Sequence, residues 1–191
     1  VERAISLAER LPRATIDETE LPRLLLAVDA TKRGDDAAVF SHLNQPWRSD
    51  FHAMLARSLA AWNMLGDDPE AAISLQQQAG GQDGLHTLMS QTLSALMKAN
   101  IGDTEEARED LAYLWQINAR LALGVETEAR LLALAGETEL AQQRLRDFRQ
   151  DVGRHPALLA LAREIEAGDV TALKAMSAAD GTALAIYLTT A

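Results

Sequence analysis

An all-α chain assembled from helix hairpins is what this sequence predicts, on three observations. Apolar residues recur at helical spacing along the chain, and no alternating stretch competes as a strand. Five glycines head a similar six-residue phrase. Those glycines stand 32, 36, 34 and 32 residues apart, a period that marks a repeated supersecondary unit. The phrases are Gly34-Asp-Asp-Ala-Ala-Val39, Gly66-Asp-Asp-Pro-Glu-Ala71, Gly102-Asp-Thr-Glu-Glu-Ala107, Gly136-Glu-Thr-Glu-Leu-Ala141 and Gly168-Asp-Val-Thr-Ala-Leu173. In each, glycine ends one helix in the left-handed region, and the acid after it caps the next.

The elements follow in order. Glu2-Arg-Ala4 stands 35 residues before Val39 and reads as the second helix of a hairpin that lacks its first. Leu24, Leu25, Ala27 and Val28 crowd one side of the helix that Gly34 ends, and a shorter helix follows over 36–43. Met54, Leu55, Leu59, Trp62 and Leu65 precede Gly66; the next helix, 69–79, opens on Asp68 as cap and Pro69 at the first helical position. Leu85, Leu88, Leu93, Leu96 and Met97 precede Gly102, and a helix is expected over 105–117. Asp103 and Glu106 have capping-box spacing, and the acids at Glu105, Glu106 and Glu109 complement the helix dipole. The run 103–110 is therefore a helix start rather than a metal site. Further second helices are expected over 139–151 and 170–178. Asn44-Gln45-Pro46, Gly80–Gly84 and Gly153–Pro156 are loop compositions between hairpins. None is long enough to be a linker, so residues 1–191 read as one domain.

Composition narrows the function. With 28 acidic and 18 basic residues the formal net charge is −10, which argues against nucleic acid and anionic membrane as partners. There is no cysteine, which excludes disulfides, thiolate metal sites and a thiol nucleophile. No apolar run approaches the roughly 18 residues of a membrane-spanning helix. The chain begins with Val1 and is expected to be a piece of a longer array. Its compartment, cytoplasm or periplasm, is left open.

These repeats resemble the tetratricopeptide repeat (TPR) family, in a degenerate form similar to that of many proteobacterial proteins. The carriers are the turn glycine, the small residue five positions later (Ala71, Ala107, Ala141) and a large apolar residue one turn on (Leu43, Leu75, Leu111, Leu145). A small residue seven before the glycine is kept as Ala27, Ala95 and Ala129, with Leu59 and Leu161 in the other copies. The resemblance implies a right-handed α-solenoid of about five hairpins whose first helices line a concave groove. The groove positions it implies are Thr31 and Lys32; Arg57, Asn63 and Met64; Met89, Thr92, Ala99 and Asn100; and Glu126, Thr127 and Arg130. Lys32, Arg57, Asn63, Met64, Met89, Asn100, Thr127 and Arg130 are the expected contacts to a protein or peptide partner, although Met64 and Met89 are equally placed to be core. A clamp for a peptide's terminal carboxylate is not expected, because Leu24, Val28 and Met89 occupy its positions.

No catalytic set emerges. His42, His52, His86 and His155 include no i,i+4 pair, and neither a serine elbow nor a phosphate-binding loop is present. His155 is expected to cap a helix or face solvent, and His52 and His86 to be half-buried packing residues. Trp62 and Trp115 are placed as core anchors and Trp47 as partly exposed. The chain is thus expected to be a non-enzymatic scaffold, with no cofactor or metal. The stretch Thr182–Ala191 carries no charge, and an uncovered apolar end suggests a second reading: a homodimer or assembly through Leu184, Ile186 and Leu188.

Overall fold

A computed structural model describes residues 2–12, 15, 16, 19–80 and 84–190. Residues 81–83 of the expected Gly80–Gly84 loop, and Val1 and Ala191, lie outside the described residues. Among the described residues there are eleven helices and no strand: α1 (Glu2–Glu9), α2 (Glu20–Arg33), α3 (Asp36–Leu43), α4 (Asp50–Met64), α5 (Pro69–Gln78), α6 (Gly84–Ile101), α7 (Thr104–Gln116), α8 (Ala122–Leu134), α9 (Thr138–Asp151), α10 (Pro156–Ala167) and α11 (Ala178–Thr190). None is long and apolar enough to cross a membrane.

The turn phrases act as the sequence predicts in three of five copies. Gly34, Gly102 and Gly136 have φ of 69°, 95° and 85°, and α3, α7 and α9 begin within a residue of expectation. At Gly34 the backbone closes the helix, Gly34 N donating to Thr31 O and Asp35 N to Ala30 O. The capping is less uniform. Asp35 and Asp68 accept from Ala38 N and Ala71 N, each at 3.0 Å, whereas Asp103 makes no side-chain cap. Glu106 is engaged elsewhere, in an ion pair with Lys98 that Asp110 shares at 2.8 Å.

The repeat register is written in burial. Ala27, Leu59, Ala95, Ala129 and Leu161, seven residues before each turn glycine, are all fully buried. Val39, Ala107 and Ala141, five after it, are fully buried too. The second copy slips by one. Gly66 lacks a positive φ, and its helix is capped two residues after the glycine rather than one. Ala72 and Gln76 therefore take the buried positions, in place of Ala71 and Leu75.

The fifth copy departs altogether. Gly168 ends α10 with φ 71°, but residues 169–177 form no helix where one was expected over 170–178. Val170 instead packs against the neighbouring core, and the Thr171 carbonyl and hydroxyl accept from Arg130 Nη1 at 3.1 and 3.0 Å. A helix would have needed that carbonyl for itself.

The chain divides into two compact units, residues 1–90 with 176–191 and residues 91–175, where the sequence reads as one continuous stack. In the first unit, α1 packs on α2, α2 pairs with α3, α4 pairs with α5, and α4 packs on both α2 and α3. α11 belongs to this unit and lies on α4 and α2. Trp62, Leu59, Leu55 and Met54 of α4 are buried with Leu24, Leu26 and Ala27 of α2, while Leu85 is exposed, against its expected core role. In the second unit α8 is central and touches α7, α9 and α10. Its core joins Val125, Ala129 and Leu132 to Leu145, Phe148, Leu158, Leu161 and Ile165.

Candidate functional site

The most distinctive contact in the first unit is between α11 and α4. Gly181 lies so close to the indole of Trp62 that a Cβ there would fall 2.0 Å from Trp62 Cδ2 and 2.2 Å from Cε3. Only glycine allows that approach. One turn on, Ala185 is fully buried, so Gly181 and Ala185 form a small-residue stripe that lets the helices meet closely. Thr182 is buried beside them, while Leu184, Ile186 and Leu188, the expected self-association residues, are half-buried and Tyr187 is exposed. The terminal helix is thus partnered within its own unit rather than left as an uncovered apolar end. It opens on a capping box that sequence reading overlooked: Ser177 Oγ donates to Asp180 Oδ2 at 2.7 Å, and Asp180 N donates to Ser177 Oγ at 3.2 Å. Two polar atoms in this region, Trp62 Nε1 and Thr182 Oγ1, are buried without a hydrogen-bond partner.

α2 and α4, the two helices beneath α11, are fixed to one another by polar links. Asn63 Nδ2 donates to Thr31 Oγ1 at 3.0 Å and to Leu59 O at 2.7 Å, which makes Asn63 a tie between helices instead of a free groove residue. At the other end of α4, His52 Nδ1 lies 2.6 Å from Glu20 Oε2. Glu20 Oε1 accepts from Arg48 N, and from Ser49 N at 3.2 Å. The bond to His52, then that from Arg48 N, hold the Glu20 carboxyl far below the usual carboxylate range, at about 2. Arg23 is buried, stacks on the Trp47 ring at 4.1 Å and donates from Nη2 to Pro46 O at 2.9 Å. Its Nε and Nη1 have no partner. Neither Glu20 nor Arg23 belonged to a repeat phrase, so periodicity gave no signal for them.

The other predicted contacts scatter. Lys32 is exposed. Arg57 and Met64 line a pocket of about 690 Å³ with Phe40, Leu43, Trp47 and Leu75, and Arg57 reaches Gln78 O at 3.4 Å. Met89 is core, and Asn100 is half-buried. In the second unit Thr127 is buried and donates to Leu123 O at 2.9 Å. Arg130 is held by Glu164 at 2.9 Å, by Glu126 and by Thr171, so its charge is spent inside the unit. Glu128, also buried, accepts from Trp115 Nε1 and from Arg144 Nε at 3.1 Å. Burial pushes its carboxyl up, and those two donors only partly offset the shift. The guanidiniums of Arg120 and Arg144 both lie over the Trp115 ring, 4.4 and 4.7 Å from its centroid.

The contact thus joins the flat indole of Trp62 on α4 to the Gly181–Ala185 stripe of α11, over two helices, α2 and α4, that polar links hold together. Among the described residues no three His, Asp or Glu side chains gather as metal ligands. No protein family, curated protein or solved structure matches this chain.

Proposed function

We propose that this chain is a non-enzymatic protein-interaction scaffold, built of TPR-like hairpins stacked within each unit as in a right-handed solenoid, whose α2–α4 groove takes a helix. The observation that carries the reading is α11 itself. A groove that seats an uncharged helical face through Gly181 and Ala185 has the shape and polarity to receive a partner helix of the same kind. Because α11 already lies there, the partner enters by exchange with it. The buried, unpaired Trp62 Nε1 and Thr182 Oγ1 weaken the resident contact, and a partner helix offering an acceptor to the indole N–H has the advantage.

The test uses a fluorescent peptide of residues 176–190 added to the full chain. Gly181→Val cannot seat its own helix and should bind the peptide, seen as a rise in anisotropy. The parent chain should bind it several-fold more weakly, and Trp62→Ala added to Gly181→Val should abolish binding. A Gly181→Val chain that stays helical by circular dichroism yet ignores the peptide would sink the reading.

A second reading, assembly with itself, is favoured by the same contact. Residues 169–177 form no helix, and exchange of α11 between two copies would reproduce every contact it makes in one. Light scattering decides: a dimer that grows with concentration and disappears in Gly181→Val supports exchange.

A further inference from the structure

The second unit holds a site unrelated to that groove. Between α9 and α10, around the loop 152–155, lies a cavity of about 260 Å³ lined by Arg146, Arg149, Arg154, His155 and Glu166 over an apolar floor that includes Leu145, Phe148 and Leu158. On a chain of net charge −10, three guanidiniums and an imidazole facing a single carboxylate is a local reversal of sign. Four of the eight arginines of this unit are spent on carboxylates: Arg108 on Glu105 and Glu137, Arg120 on Asp151, Arg130 on Glu164, Arg144 on Glu128. At the cavity, Arg146 bonds to the neutral Gln143 Oε1 at 2.8 Å. Arg149 and Arg154 make no ion pair among the described residues.

Two further features point the same way. His155 stands at the start of α10 with extended backbone and makes no side-chain cap. Its Nδ1 is buried and has no hydrogen-bond partner, so the expected capping role is not what it does. Pro156 opens α10 without an N–H and Leu159 N donates to His155 O, so the N–H groups of Ala157 and Leu158 are the uncapped donors at the positive end of the helix dipole, beside the cavity that Leu158 lines. Beneath these donors Leu145, Phe148 and Leu158 are buried core residues whose surfaces form the floor. The donors call for an anion, and the floor calls for an apolar body behind it.

We propose that this cavity is a binding site for a small organic anion, a carboxylate or phosphate carried on a compact apolar group such as one aromatic ring. Arg149, Arg154 and His155 hold the head group at the α10 N-terminus, and Phe148 and Leu158 cover the body. The full chain labelled with ¹⁵N is titrated with phenyl phosphate, phenylacetate, inorganic phosphate and the neutral phenethyl alcohol, and the backbone amides are followed by NMR. Saturable shifts confined to residues 146–159 are expected with phenyl phosphate or phenylacetate, and whichever binds tighter identifies the head group. Arg149→Ala/Arg154→Ala, two exposed changes that leave the helical spectrum intact, should weaken binding by about tenfold or more, since a charge-assisted bond contributes that much. Equal affinity for phenethyl alcohol or for inorganic phosphate would overturn the proposal. So would shifts that never saturate, or affinity untouched by the double substitution.

Discussion

Glu20 contributes stability that depends on pH with a definite sign. Its folded value, about 2, lies below the ordinary 4.5, so the contribution is complete above 4.5 and fades as pH falls toward 2. Denaturant titrations of the parent chain and Glu20→Gln should differ at neutral pH and converge near pH 2; parallel profiles would show that His52 and the Arg48 amide do not hold the charge. Glu128 has the opposite sign, because burial raises it: its share of the second unit's stability grows as pH falls into its raised range, and its side-chain carboxyl should titrate above the usual carboxylate region by NMR. Gln76 is a different kind of defect. The slipped register at Gly66 puts it where the other copies have Leu43, Leu111 and Leu145, and both polar atoms of its side-chain amide are buried without partners. Gln76→Leu should stabilise the chain by about 1–3 kcal/mol, the usual penalty of an orphaned buried amide, read as a shift in the urea midpoint. No shift, or a downward one, would mean that the amide has partners in solution.

At the scale of helices and turns, the sequence carries most of the information, because glycine, acid and apolar period act within a few residues of one another. That is why α3, α5, α7 and α9 could be bounded to within a residue. What it did not carry was the alternative partner of a backbone. Residues 170–178 have helix-compatible composition, and the phrase at Gly168 opens on the same glycine and acid as the others, with Leu173 where three of them have alanine, yet Arg130, about forty positions earlier, takes the Thr171 carbonyl. A long-range bond of that kind leaves no local trace. Arg130→Ala should release this segment and lower the stability of the second unit by about 1.5–3 kcal/mol, in the range for hydrogen bonds to charged groups. Hydrogen exchange at residues 169–177 would report it, and unchanged protection there would show that Val170 packing suffices. Side-chain partners leave as little local trace as that backbone bond. A family register assigns positions to a concave face, but it cannot tell that Asn63 is consumed by Thr31, or Arg130 by Glu164.

For the molecule as a whole, the C-terminal helix belongs with the first ninety residues and not with the hairpins that precede it in the chain. Gly181→Val forces a Cβ into the Trp62 ring, and overpacking of that kind typically costs about 1–3 kcal/mol. The loss should appear as faster hydrogen exchange in α2, α4 and α11 with α8–α10 unchanged; loss spread evenly over both units would mean that they unfold as one. The tether of α11 has its own consequence. α11 belongs to the same chain as the α2 and α4 helices it lies on. A resident helix on the same chain acts at an effective concentration of about millimolar or above. Under the exchange proposed above, an incoming helix would be judged by ratio: a good fit at micromolar abundance would be turned away unless its intrinsic affinity exceeded that of α11 by the same factor by which it is outnumbered.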